Sequence, residues 1–66
     1  VHHNKTVRFQ VAWALGEIRD RRAIPGLIAM LNDEADDVQQ IACESLEKFD
    51  DDDARSAIDA WRRRKE

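Results

Sequence analysis

The chain repeats itself. Val7 to Ile18 reads VRFQVAWALGEI, and a shift of 31 residues brings Val38 to Phe49, VQQIACESLEKF. Val7, Val11, Ala14, Leu15 and Ile18 fall on one stripe at helical spacing. Val38, Ala42, Ser45, Leu46 and Phe49 take the same places in the second copy. A unit this short cannot bury its apolar face alone, so repeated units stack and share a core. The expected architecture is therefore all-α: two antiparallel helix pairs, four helices, stacked as a short α-solenoid. One domain spans 1–66, with repeat one over about 4–34 and repeat two over about 35–65.

Size limits what such a stack can do. The 66 residues make one domain, and a chain of that length buries only about 60% of its unfolded surface. It must be well packed, oligomeric or part of something longer. Hydrophobic residues are 42% and charged residues 38%, the balance of a helical folded protein and not of a disordered one. A net charge of −3 gives no general attraction to nucleic acid or anionic lipid. The basic run Arg62, Arg63, Arg64, Lys65 ends a helix, where cations suit the macrodipole, and reads as a solvated helix end. Cys43 is the one cysteine and has no internal partner, so a cytoplasmic setting is expected. No apolar run approaches the roughly 20 residues of a membrane span, and no signal peptide is visible. Val1 to His3 is expected to fray, and His2 and His3 support no function.

In chain order, Asn4 is the expected N-cap of a first helix over Lys5 to Ile18. Phe9, Ala12, Trp13 and Gly16 form a second face away from the Val7–Leu15 stripe. Apolar character on two sides is what a helix inside an array needs. Asp20 is the expected cap of a second helix ending near Leu31, which begins late or bends at Pro25 because proline lacks an N–H. Ile24, Leu27, Ile28 and Leu31 make its main stripe, widened by Ala23, Gly26 and Met30. A third helix is expected from about Asp36 to Phe49, with Ile41 against the Phe9/Ala12/Gly16 face and Gln40, Glu44 and Glu47 in water. The acidic run Asp50 to Asp53 lacks the alternating ligands, central Gly and terminal Glu of a calcium loop. It reads as a helix start, with Asp51 as cap. The fourth helix, about Asp52 to Arg64, buries Ala54, Ala57, Ile58 and Trp61, and an Arg55–Asp59 pair is expected along it.

The two repeats differ at their outer sides. Where the second helix has Ile24, Ile28 and Leu31, the fourth has Arg55, Asp59 and Arg62. Repeat two therefore reads as a terminal cap. The opposite side is less polar, through Ala23 and Met30, and is expected to meet earlier repeats or a second copy of the chain.

The residues resemble a known family. Val7-Arg8, the small residues around Val11 and Ala12, Ala14-Leu15-Gly16, Ile18, Asp20, Ala23-Ile24-Pro25 and Leu27 resemble the short HEAT-like repeat of phycobilisome lyase subunits and related proteins. The likeness runs from residue 4 to about 62. It is strong in repeat one and degenerate in repeat two, where Arg8 becomes Gln39, Gly16 becomes Glu47 and Pro25 becomes Ser56. It implies a right-handed stack with the first and third helices on one surface and the second and fourth on the other, often binding, surface. Deoxyhypusine hydroxylase is a more distant likeness; its di-iron site uses His-Glu pairs in successive repeats. Those places hold Phe9-Gln10 and Gln40-Ile41 here, which are not ligands of that kind.

No Ser/His/Asp set, P-loop or zinc spacing occurs in the sequence. Cys43 reads as a small packing residue with no base placed to activate it. The expected role is thus non-catalytic, without cofactor, metal or small-molecule substrate: a module for protein–protein interaction or assembly, or the C-terminal end of a longer solenoid. A fragment or accessory subunit of a bilin lyase-type protein is the alternative. The candidate interface residues are Phe9, Trp13, Ala23 and Met30. Phe9 and Trp13, four residues apart, read either as an interface anchor or as a cover for the contact with the third helix. Two repeats are fewer than a stable stack usually needs, so self-association through Ala23, Met30 and Trp13 is expected.

Overall fold

A computed structural model describes residues 4–66. Val1 to His3, with the expected fraying and the two histidines, lie outside the described residues. Helix α1 covers Lys5–Ile18, α2 Ile24–Met30, α3 Asp36–Leu46 and α4 Asp52–Lys65, with a 3₁₀ turn at Arg21–Ala23. The described residues contain no strand, and no helix among them is long and apolar enough to cross a membrane. The molecule is all-α, a short helical solenoid measuring 29 × 29 × 16 Å.

The helix starts follow from local chemistry. The Asn4 side chain accepts from the Val7 N–H at 2.9 Å, and the Asp51 side chain accepts from the Ala54 N–H at 2.9 Å. Each satisfies a donor that the helix itself leaves free. Asp52 and Asp53 occupy the first turn of α4 and Arg62 to Lys65 its last, both favourable to the macrodipole. Asp20 caps as expected, but what it caps is the 3₁₀ turn, through the Arg22 N–H. Helix α2 begins only at Ile24, because Pro25 fits the first turn, where its missing N–H costs nothing. Arg19 ends α1 in the left-handed region, φ 59°, and its N–H bonds the Leu15 carbonyl.

Two expected boundaries or contacts change. Helix α3 stops at Leu46, not Phe49. The Lys48 and Phe49 N–H groups bond three residues back, to Ser45 and Leu46, and that tightening folds Phe49 inward to 9% exposure. Arg55 pairs with Asp50 at 2.6 Å and not with Asp59.

The larger correction concerns α1. Its buried residues are Ala12 and Gly16, while Val11 and Ile18 of the expected main stripe are 43% and 67% exposed. The reason is the small size of the second face. Helices approach closely where no side chain holds them apart, and α1 lies along α3 through Ala12 and Gly16. Ile41 is buried in the same cluster as Ala12, and Ser45 also meets this face, donating its hydroxyl to the Ala12 carbonyl at 2.7 Å. Gln40, Glu44 and Glu47 are exposed, as expected.

The core lies between the two helix pairs. Leu27, Leu31, Leu46 and Ile58 sit in it, closed by Phe49 and Trp61. A polar network ties its edge. Arg8 grips Asp33 with two hydrogen bonds, 2.7 and 3.0 Å. The Gln39 amide donates to the Asp33 carbonyl, and Trp61 Nε1 donates to Gln39 Oε1 at 3.0 Å. Four segments, α1, the α2–α3 connector, α3 and α4, are joined by that chain of contacts.

Candidate protein interface on the first helix

Helix α1 carries apolar residues outside its contact with α3. At about 100° per residue, Ala12 and Gly16 mark the contact side. Phe9 and Trp13 fall to one side of it, and Val7, Val11, Ala14 and Ile18 lie on the far side of the helix. Phe9 and Trp13 are exposed, and so are Val11 and Ile18, so both groups present large hydrophobic side chains to solvent. Gln10 and Glu17 lie between these two groups, and both are exposed.

Repeat two makes the contrast plain. The positions of Phe9 and Trp13 hold Gln40 and Glu44, exposed and polar, with the Gln40 amide 3.3 Å from the Glu44 carboxylate. The positions of Val11 and Ile18 hold Ala42 and Phe49, both buried. Phe9 also lines a shallow hollow with Lys5, Thr6, Gln10 and Asp37, where the N-terminal ends of α1 and α3 meet. Ala23 and Met30 are half-buried and pack against the core from α2. The four candidate interface residues therefore form an exposed aromatic pair on α1 and two partly covered residues on α2.

Around this surface the charges are engaged. The Lys48 ammonium bonds Glu17 and holds that carboxyl below its usual range. Arg22 does the same for Asp20, and Arg8 for Asp33, in each case chiefly by side-chain hydrogen bonding. Asp33 in turn helps to keep the Arg8 guanidinium protonated. In the hollow between α3 and α4, Glu47 pairs with Arg62 and Asp50 with Arg55.

Among the described residues no group of three or more His, Cys, Asp or Glu stands together to hold a metal ion. Cys43 is a free, buried thiol, and burial pushes it above its ordinary value, away from the reactive thiolate. Asp51 of the four-acid run is a helix cap, as its spacing suggested.

Two relationships were not anticipated from the sequence. One is the Arg8–Asp33 pair, 25 residues apart. A cation inside an apolar helix is a signal that an acid waits somewhere, but nothing local says which of the many acids it is. The other is the fit of Ser45 over Ala12 and Gly16. Small residues four apart on one helix are the visible half of that contact.

No curated protein and no solved structure matches the chain. A family profile described as HEAT repeats matches residues 1–65, nearly the whole length. That match agrees with the four-helix solenoid and with the repeated stripe, and so the chain belongs to the HEAT-repeat family.

Proposed function

We propose that this chain is a non-catalytic HEAT-repeat module that binds another protein through Phe9 and Trp13 on α1. The observation that carries the reading is the exposure of this aromatic pair where the equivalent positions of repeat two are Gln40 and Glu44. Tryptophan offers a large, stiff apolar surface at little entropic cost and is enriched among residues that dominate interface energy. Phe9 also lines the hollow with Thr6 and Asp37, which gives a partner side chain an apolar floor with a polar rim. Ala23 and Met30 join the proposal as the open side of repeat one. The proposed setting is the cytoplasm, in keeping with the free thiol of Cys43.

A second reading is that the two repeats close the C-terminal end of a longer solenoid. Its support is the charged outer side of α4, where Arg55, Asp59 and Arg62 are exposed. A lyase-type accessory subunit is a special case of this reading, resting on the motif of repeat one alone. The length of the native gene in repeats distinguishes it.

The test uses the chain and a Phe9→Ser/Trp13→Ser variant, each shown to be helical by circular dichroism, as paired baits. A defined partner retained by the first and lost by the second supports the proposal. Partners held equally by both place the interface elsewhere.

A further inference from the structure

The two repeats are covered unequally on equivalent sides. In repeat two that side is Val38, Ile41, Ala42, Ser45 and Phe49, and every one of them is buried. Ala54 and Trp61 of α4 extend it and are buried too. A shift of 31 residues maps the first group onto Val7, Gln10, Val11, Ala14 and Ile18, and the second onto Ala23 and Met30. None of these is buried, and Gln10, Val11 and Ile18 are exposed. What covers the side in repeat two is repeat one itself. Ala12, Ile24, Leu27 and Leu31 share one buried cluster with Ala42, Phe49 and Trp61, and Gly16 comes up against Ser45. The fold thus holds the same seat twice and its occupant once.

We propose that the open side of repeat one, marked by Val11 and Ile18, seats a further helix pair joined ahead of Asn4 in the same polypeptide. The proposal rests on the reading of this chain as the end of a longer solenoid, and adds where the array continues and what the next unit must carry. The occupant's chemistry follows from the contact already present. Ser45 leaves no room for a side chain at Gly16, through its Cβ and Cα as well as its hydroxyl. Ala14, at the equivalent place, has the same Cβ and Cα. The first helix of the occupant therefore carries glycine at the place of Gly16 and a small residue at that of Ala12. Its second helix is apolar at the places of Ile24, Leu27 and Leu31. Gln10 replaces Ile41, which keeps 8% exposure at the edge of the contact. Five residues carry the chain from Met30 to Asp36, so an equally short connection joins the added pair to α1. A second copy fits the seat poorly. Stacked head to tail, it offers Glu47, Arg55, Asp59 and Arg62 at the places of Gly16, Ile24, Ile28 and Leu31. All four are exposed; Glu47 puts a side chain where none fits, and desolvating the charges opposes the contact. Turned about a two-fold axis, it brings branched Val7, Val11 and Ile18 where the seat takes small residues, and these hold the helices apart. Phe9 and Trp13 stay outside the seat, since their equivalents Gln40 and Glu44 remain exposed with repeat one in place.

A tandem chain with a second copy of Asn4 to Glu34 placed directly ahead of Asn4 keeps the period of 31 and supplies such an occupant. It is expected to unfold in urea as one unit, with a slope about half as large again as that of the 66-residue chain, because the slope follows the surface buried. Val11→Glu in the covered unit lowers the tandem midpoint by about 1 M or more, and Gly16→Leu in the added copy does the same. In the 66-residue chain Val11 is 43% exposed, and Val11→Glu hardly moves the midpoint. The gene ahead of the Asn4 codon is expected to encode a helix pair with glycine 31 residues before Gly16. Tandem unfolding in two separate steps overturns the proposal, and so does an equal effect of Val11→Glu in both chains. With earlier repeats present in the gene, either of those results leaves the solenoid-end reading standing. A gene without such a unit overturns both. A defined dimer of the 66-residue chain that Val11→Glu dissolves assigns the side to a second copy and overturns the proposal. The loss of a foreign partner in the Phe9/Trp13 test has no bearing on these readouts.

Discussion

Gly16 of α1 lies so close to Ser45 of α3 that a methyl group placed on it would stand 2.5 Å from the serine hydroxyl oxygen, 2.7 Å from its Cβ and 3.0 Å from its Cα. The last of these is backbone and cannot turn aside. The contact between the two repeats is therefore set by the absence of a side chain at one position, and by a hydroxyl that uses the resulting proximity to reach the Ala12 carbonyl.

A pair of glycine substitutions separates this effect from ordinary helix propensity. Gly16→Ala gains the propensity of alanine but forces α1 away from α3, and the expected net loss is about 1–3 kcal/mol. Gly26 sits in α2 with nothing within 4 Å of the corresponding methyl position. Gly26→Ala is expected to stabilise by about 0.5–1 kcal/mol, because only the unfolded chain loses freedom. Urea unfolding of the two variants at neutral pH reads both signs. Adding Ser45→Gly to Gly16→Ala is expected to recover part of the loss, whereas Ser45→Ala leaves the Cβ clash in place.

Asp33 governs acid stability more than an exposed carboxylate does. Its side chain is only 10% exposed and is held below the usual carboxylate range, first by the Arg8 hydrogen bonds. A folded-state value lower than the unfolded one adds stability above the unfolded value, about 3.9, and that stability disappears as pH falls through the folded value. The urea midpoint of Asp33→Asn is therefore expected to fall well below that of the unaltered chain at neutral pH. The gap narrows as pH falls from about 4 through the lowered folded-state value, below which both chains carry a neutral group at this position. A gap of constant size across that range removes the ion pair as the cause.

Trp61 closes the core at 7% exposure and donates to Gln39. Trp61→Phe keeps most of the apolar surface and leaves the Gln39 oxygen without its donor, at an expected cost of about 0.5–1.5 kcal/mol. Trp61→Ala also opens a cavity and is expected to cost about 3–5 kcal/mol, enough to unfold a domain of this size near body temperature. Thermal unfolding followed by circular dichroism ranks the two. Lys65 stands 5.4 Å from the Trp61 ring, but it is exposed, and Lys65→Ala is expected to change the midpoint little.

What the sequence determined by itself was everything that depends on short range. Asn4, Asp20 and Asp51 cap because their oxygens reach N–H groups two or three residues on, and such reach is written in the local order of residues. The period of 31 residues and the burial of Leu27, Leu31, Ile58 and Trp61 follow from helical spacing repeated along the chain. What only the tertiary structure decided was which face of α1 turns inward. Both faces are apolar, so hydrophobic periodicity could not choose between Val11 with Ile18 and Ala12 with Gly16. The choice fell to the smaller pair because close approach of two helices gains dispersion contacts along their whole length, and only small residues permit it. Exposure of Val11, Ile18, Phe9 and Trp13 is the consequence, and the surface proposed to meet other chains is thus a product of packing between α1 and α3.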